Sequence, residues 1–122
     1  LMLSLACDYR IMTDGLKRNA WLCMNEVHFG APWPLSFAAI VRAKFGDHRT
    51  HRKIALEGHR FTPQEALKDG ILDAVVGGGT EEVLKVAEGV AEKVAGNAVA
   101  GVWGLIKVSE DVFLVGVGLM ER

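Results

Sequence analysis

The sequence predicts an α/β fold in which short strands alternate with helices. Three runs rich in branched or aromatic residues, at 8–13, 20–24 and 71–76, are typical of strands. Helical patterns, some with their own start and stop signals, lie between and after these runs, and one of them covers 81–96. With 122 residues, 50% hydrophobic residues and a net charge of -1, the composition is that of an ordinary globular domain.

The beginning of the chain predicts one helix end and two strands. Residues 1–7 are apolar and are interpreted as the last turns of a buried helix. The strands at 8–13 and 20–24 follow, separated by the turn-like "DGLKRN". No Ser, Thr, Asp or Asn precedes the first apolar run to cap a helix, so we expect that residues have been lost upstream.

Two helices are predicted in the middle of the chain. "FGAPWP" is a loop, because it contains a glycine and two prolines. From 35 to 45 apolar residues recur at helical spacing, and Gly46 ends that helix. "DHRTHRKIALEG" is a second helix with Asp47 as its cap.

The strongest local signal is "FTPQEALKDG". Thr62 is placed to cap a helix, Pro63 occupies the first helical position, and Glu65 follows Thr62 by three residues. This spacing predicts a capping box, and Gly70 closes the short helix. The buried strand at 71–76 comes next.

The remainder is predicted to be helical. "GGGT" is a loop, the segment 81–96 is an amphipathic helix, and a last helix runs from about 98 to 120. That last helix is apolar on several sides, which predicts a contact with another subunit. We therefore divide the chain into an α/β part, 1–76, and a helical tail, 77–122, for oligomer contact.

Composition excludes several classes of protein. No net positive charge is available for a nucleic-acid partner, and "VFLVGVGLM" is too short to span a membrane. Cys7 and Cys23 make no disulfide framework and fit a reducing compartment. No signal peptide is visible, and "GLMER" is not a Ser-Lys-Leu peroxisomal address, so no targeting signal is read in this chain.

Several polar clusters have an ordinary interpretation that we prefer. His48 and His51 have helical spacing but no third ligand nearby, so we predict a solvated face and no metal site. The basic run at 42–53 could contact a phosphorylated ligand, although a solvated cationic face is the default. "GGGT" lacks the ending of a phosphate-binding loop and is read as a plain loop.

Glu26 differs because "WLCMNEVHFGAPWPL" surrounds it with apolar residues. An apolar setting disfavours an ionised carboxylate and makes it a better proton acceptor. The segment is predicted to be extended and to give way to a loop at this point, where active sites often lie. The alternative is a strand-end glutamate that points to water or binds backbone N–H groups. His28 is interpreted as a packed histidine.

Three motifs, taken in order, resemble the second half of the crotonase (enoyl-CoA hydratase/isomerase) superfamily. They are "LSLACDYRIMT", "NEVHFGAPWP" and "LEGHRFTPQEALKDGILDAVV", and they cover most of residues 1–76. The resemblance implies part of a crotonase-like ββα spiral, followed by a C-terminal helical region for trimer contact.

The resemblance also implies a reaction. Hydratases of the family carry two catalytic glutamates; Glu26 matches the second, while Met2 stands at the position of the first. A thioether cannot shuttle a proton, and moving a double bond needs only one base. The pattern therefore resembles a monofunctional Δ3,Δ2-enoyl-CoA isomerase of fatty-acid β-oxidation. Phe29, Trp33 and Leu35 would shape its acyl pocket.

Further expectations come from the same resemblance. Acyl-CoA is the substrate and no cofactor is needed. The assembly is a homotrimer or hexamer, in the peroxisome or alternatively the mitochondrion. The family's two oxyanion N–H donors lie in segments absent here, and losing one such donor costs roughly 100- to 1,000-fold in rate, so this truncated form would be nearly inactive. An enoyl-CoA hydratase and a non-catalytic interaction subunit remain the alternatives.

Overall fold

A two-stranded sheet and seven helices make up the part of the chain that the computed structural model describes, residues 1–109. In chain order these elements are α1 (Met2–Leu5), β1 (Ile11–Thr13), α2 (Glu26–Phe29), α3 (Leu35–Lys44), α4 (His48–Ala55), α5 (Pro63–Lys68), β2 (Ala74–Val76), α6 (Thr80–Ala95), a 3-10 turn (Gly96–Ala98) and α7 (103–109). None of the described helices has the length and apolarity needed to cross a membrane.

The two strands pair in parallel although about 60 residues separate them in sequence. Ile11 lies opposite Ala74, and Thr13 lies opposite Val76. Arg10 strengthens the pairing, because its backbone N–H donates to Asp73 Oδ2 at 2.7 Å and its Nε donates to the Ile71 carbonyl at 2.6 Å. Helix α6 packs against both strands. A parallel pair needs a long crossover, and here the crossover contains α2 to α5.

The hydrophobic core lies where α1, α3, α4 and α5 meet. Its largest fully buried side chains are Phe61, Leu5, Ile54 and Ile71. Met24, Val41, Phe45, Ala66 and Leu72 complete the buried cluster. Helices α1, α3, α4 and α5 therefore contribute one residue each, and the other five lie in the segments that connect the elements.

Two predicted helix starts are confirmed at atomic detail. Asp47 Oδ1 accepts a hydrogen bond from the Arg49 N–H at 3.0 Å and caps α4. Thr62 and Glu65 form the reciprocal capping box of α5, with bonds of 3.2 and 3.0 Å. Each side chain satisfies an N–H that the helix itself leaves unpaired.

The predicted strand at 20–24 is wrong. Only Leu22 pairs, in a single antiparallel bridge with Phe61. The ladder cannot extend beyond that bridge, because Thr62, the residue after Phe61, is already the cap of α5.

The predicted strand at 71–76 is shorter than expected. The N–H groups of Ile71 and Leu72 both donate to the Ala66 carbonyl, at 2.8 and 3.1 Å. These two residues thus close the end of α5, and the strand begins only at Ala74. The strand at 8–13 is likewise reduced to β1.

The last predicted helix, 98–120, begins later than expected. After the 3-10 turn, Gly101 adopts a left-handed backbone with φ of 74°. That conformation interrupts a right-handed helix, so α7 starts at 103. The rest of the predicted helix, 110–120, lies outside the described residues.

Candidate active site around Glu26

Glu26 opens a single helical turn, α2, where the sequence predicted extended chain leading into a loop. Asn25 precedes this turn as its N-cap residue, and Gly30 ends it with a left-handed φ of 75°. The Ala31 N–H then donates to the Glu26 carbonyl at 3.1 Å. The prediction of extended backbone at Glu26 is therefore wrong, because a glycine four residues later lets the chain close one turn.

The Glu26 side chain is half-buried, and one of its oxygens is isolated. Among the described residues, Oε2 is buried and has no hydrogen-bond partner. Met24, two residues earlier, belongs to the core. Buried side-chain oxygens nearly always have a partner, so a buried, unpaired carboxylate oxygen is an unusual feature and a candidate proton acceptor.

Helix α2 is held against the segment 57–61 by contacts on both of its sides. The His28 ring nitrogen Nε2 lies 3.0 Å from the Glu57 carbonyl, and since a carbonyl only accepts, Nε2 is the donor. Before the helix, Leu22 and Phe61 exchange two backbone bonds of 3.0 and 2.8 Å. His28 thus anchors the turn through its ring, as a packed histidine would, although the residue as a whole is exposed.

Gly58 allows this close approach and was not singled out from the sequence. A Cβ at this position would lie 2.8 Å from His28 Cε1 and 3.2 Å from Val27 Cγ1, and φ is 56°. The available signal was its place just after an apolar helical pattern, where a left-handed glycine often ends a helix. Gly58 therefore determines how closely α2 can pack.

The residues predicted to shape an acyl pocket occupy different environments. Trp33 is half-buried, packs against the core and meets Phe37 edge-on at 6.0 Å between ring centroids. Phe29 is 65% exposed and Leu35 is 42% exposed. Phe29 ends the helical turn that Glu26 begins, and Leu35 begins α3. The role of the three residues in an acyl pocket stays a prediction.

Met2 lies in α1, half-buried, and packs against the core. Helix α1 itself packs against α3. The thioether thus occupies a structural position at the edge of the core. Its correspondence to the first glutamate of a hydratase remains a prediction from the sequence motifs.

The histidine pair that we predicted to be a solvated face, and the "GGGT" segment that we predicted to be a plain loop, lie on α4 and at the start of α6. Residues 1–109 contain no group of three or more His, Cys, Asp or Glu side chains that could hold a metal ion, and the His48 and His51 rings lie 6.3 Å apart on α4. In the "GGGT" loop, the Gly79 N–H donates to Glu82 Oε2 at 2.8 Å. The backbone N–H groups of Glu82 and Gly79 hold the pKa of the Glu82 carboxyl below its usual value. A carboxylate of the chain itself therefore takes the loop's N–H donor.

Known proteins match this chain over nearly its whole length. The sequence profile of the enoyl-CoA hydratase/isomerase family matches residues 1–108. The peroxisomal enoyl-CoA delta isomerase 2 of Arabidopsis thaliana is 34% identical over 124 residues, which cover 100% of this chain and 50% of that protein. The mitochondrial enoyl-CoA delta isomerase 1 of Mus musculus is 39% identical over 75 residues, 62% of this chain and 25% of the mouse protein.

A solved structure supports the same relationship. The human mitochondrial delta3-delta2-enoyl-CoA isomerase superposes with a TM-score of 0.74 at 27% identity, over 97% of this chain and 43% of the human one. The chain spans half or less of the length of each of these relatives. The α/β architecture predicted from the sequence is confirmed as part of the crotonase fold. By sequence and by fold, the chain belongs to the enoyl-CoA hydratase/isomerase family.

Proposed function

We propose that the protein is an acyl-CoA double-bond isomerase that converts 3-enoyl-CoA to 2-enoyl-CoA, with Glu26 as its single proton shuttle. The observation that carries this proposal is the buried, unpaired Oε2 of Glu26 at the start of a helical turn, two residues after the core residue Met24. Relatives named as enoyl-CoA delta isomerases support the choice of reaction.

The proposed reaction balances with one base and no cofactor. Glu26 takes a proton from C2 of the thioester, the C2–H electron pair forms the new C2–C3 double bond, and the old C3–C4 double bond opens. The protonated carboxyl then returns the proton to C4. An oxygen without a competing hydrogen bond is free to accept and return this proton. The reactant and product are isomers, so nothing is added or lost.

Hydration of a double bond needs a second catalytic group in addition to Glu26. Adding water across a double bond uses one group to activate the water and another to manage the second proton. At the position where the sequence motifs place that second group, the chain carries Met2. A hydratase is therefore the second candidate, and it needs a substitute for this group.

Oligomeric assembly and cellular location belong to the same proposal. Three apolar residues of α7, Leu105, Ile106 and Val108, are between 58% and 68% exposed, which suits a subunit contact in a homotrimer or hexamer. The relatives include a peroxisomal and a mitochondrial isomerase. We place the protein in fatty-acid β-oxidation, in the peroxisome or alternatively the mitochondrion.

The test is Glu26→Gln in the natural polypeptide, assayed with a 3-enoyl-CoA. An amide cannot accept the C2 proton, so the isomerisation rate should fall roughly 100- to 10,000-fold, the usual contribution of a general base. Glu88→Gln is the matched control, because it makes the same change at an exposed position of α6. Circular dichroism verifies that both variants are folded.

Two results would overturn the proposal. If Glu26→Gln retains the rate of the Glu88→Gln control, then Glu26 is not the base. If the unaltered protein hydrates 2-enoyl-CoA as fast as it isomerises 3-enoyl-CoA, the protein is a hydratase and the isomerase proposal is wrong. A folded, natural polypeptide that does neither would favour the non-catalytic subunit.

A further inference from the structure

A small cleft lies between α3 and α4, and Glu26 is not among its lining residues, although Trp33, which the sequence motifs assign to an acyl pocket, is one of them. Its volume is about 210 Å³, and its lining includes two arginines, Arg42 and Arg52, and the imidazoles of His48 and His51. No aspartate or glutamate is among its lining residues. The cleft therefore concentrates positive charge in a chain whose net charge is only -1.

The donors of the cleft are only partly used within the chain. His51 Nε2 donates a hydrogen bond to the Phe45 carbonyl. Arg52 Nε donates to Glu57 at 3.2 Å, an exposed pair in which both side chains are about half accessible. Among residues 1–109, the side-chain hydrogen bonds and ion pairs include neither the Arg42 guanidinium nor the His48 ring, and the His48 ring contacts His51 edge-on. Arg42 in particular is left to bind an anion from solution.

An apolar surface lies beside these donors. Trp33, Val41 and Leu56 line the same cleft. Leu56 is 70% exposed, although it is a large apolar residue. The indole Nε1 of Trp33 is buried and lacks an acceptor among the described residues.

We propose that the α3–α4 cleft binds a small amphipathic anion, with one phosphate or carboxylate group on a short aromatic or aliphatic body. The anionic group would pair with Arg42, since a guanidinium matches both phosphate and carboxylate with two parallel hydrogen bonds. The apolar body would lie on Trp33 and Leu56. The cleft is smaller than the roughly 300–1,000 Å³ typical of sites for drug-sized ligands, so the body is limited to about one ring. This binding does not depend on the proposed isomerase activity.

Calorimetric titration of the natural polypeptide tests the proposal with four probes. Phenyl phosphate and phenylacetate combine a ring with an anionic group. Inorganic phosphate offers the charge alone, and benzyl alcohol offers the ring alone. We expect at least one of the two ring-bearing anions to bind tenfold or more tightly than either single-feature probe. The better of the two identifies the preferred anionic group.

Two arginine variants locate the site. Arg42→Gln removes the unpaired guanidinium from the cleft and should weaken the better ring-bearing anion about tenfold or more, as expected for a hydrogen bond to a charged group. Arg49→Gln is the matched control: it removes the same charge from α4 at a residue outside the cleft lining. Both positions are exposed, so the fold should tolerate either change. Equal weakening by the two variants, or no preference for a ring-bearing anion over inorganic phosphate, would overturn the proposal.

Discussion

At the scale of single residues, the site depends on a carboxylate that is neither fully exposed nor fully satisfied. Glu26 keeps one oxygen buried without a partner among the described residues. Leaving a buried polar group unpaired costs roughly 1–3 kcal/mol. An unpaired buried group of this kind calls for an explanation, and proton transfer is the function we propose for Glu26.

Gly58 influences the position of the Glu26 carboxylate indirectly, because it determines how closely α2 can pack. Alanine there would bring a Cβ to 2.8 Å from the His28 ring and hold a left-handed φ. The backbone strain alone should cost about 1–2 kcal/mol of unfolding free energy. The clash should also displace α2, and we expect Gly58→Ala to reduce isomerase activity well beyond the effect of lower stability.

Gly70→Ala is the control for this prediction. Gly70 has a similar left-handed φ of 76°, but nothing lies within 4 Å of an added Cβ. Thermal unfolding should show both variants destabilised by the backbone strain, and Gly58→Ala further destabilised by the clash. Activity should be lost only in Gly58→Ala, measured at a temperature where both variants are folded. Equal activity in the two folded variants would mean that α2 does not need this close packing.

At the scale of elements, α7 is attached to the start of the chain by a small polar cluster. Lys107 Nζ lies 2.9 Å from Asp8 Oδ1 and 3.1 Å from the Ala6 carbonyl. The Trp103 indole donates to Asp8 Oδ2 at 3.3 Å. One carboxylate thus joins residues that lie about 100 positions apart.

The attachment of α7 should weaken in acid. The hydrogen bond from Lys107 lowers the pKa of the Asp8 carboxyl, and the Trp103 indole adds to the effect. A lowered carboxylate pKa gives stability that is fully present above the unfolded value of 3.8 and is lost as the pH falls through the folded value. The Trp103 indole N–H resonance should report this transition at a pH below 3.8.

Lysine variants check the cause of that transition. Lys107→Met removes the donor and should move the midpoint of the Trp103 resonance upward, toward the ordinary aspartate value. Lys85→Met changes an exposed lysine of α6 in the same way and should leave the midpoint unchanged. A common midpoint in both variants would show that Lys107 does not set the pKa of Asp8.

At the scale of the whole molecule, the described part of the chain leaves large apolar side chains uncovered. Leu3 is 87% exposed, and Leu105 and Ile106 on α7 are 68% and 59% exposed. Apolar surface left in a contiguous patch commonly marks a contact with another protein. We expect α7 to lie in the interface of the proposed oligomer.

Leu105→Lys tests that expectation in the natural polypeptide. A lysine in an apolar interface would be buried without a partner, so analytical ultracentrifugation should show a shift toward monomer. Leu16→Lys is the control, since Leu16 is 86% exposed and lies in the loop after β1. An unchanged oligomer in Leu105→Lys would remove α7 from the interface.

The boundaries that the sequence predicted well depend on neighbours within a few residues. Thr62 and Glu65 form their capping box, and Asp47 caps α4, because both interactions close within three residues. The strand at 20–24 failed for the opposite reason: its partner is Phe61, almost 40 residues away, and only one residue pairs. The choice of Glu26 came from its apolar surroundings and its motif, and the functional role itself is untested.

The sequence by itself determined the starts of α4 and α5, the left-handed Gly70 after α5, the α/β class and the family resemblance, because these depend on short-range hydrogen bonds, helical spacing and residue order. It did not determine the turn α2, the start of α7 or the end of α3, which is at Lys44 and not at Gly46. Only the tertiary structure decided the parallel register of β1 with β2, the packing of α2 against Gly58 and the attachment of α7 to Asp8. Each of these joins residues about 30 to 100 positions apart. Local propensity carries no information on such pairings; they follow from which apolar faces pack together and which buried polar groups then find partners.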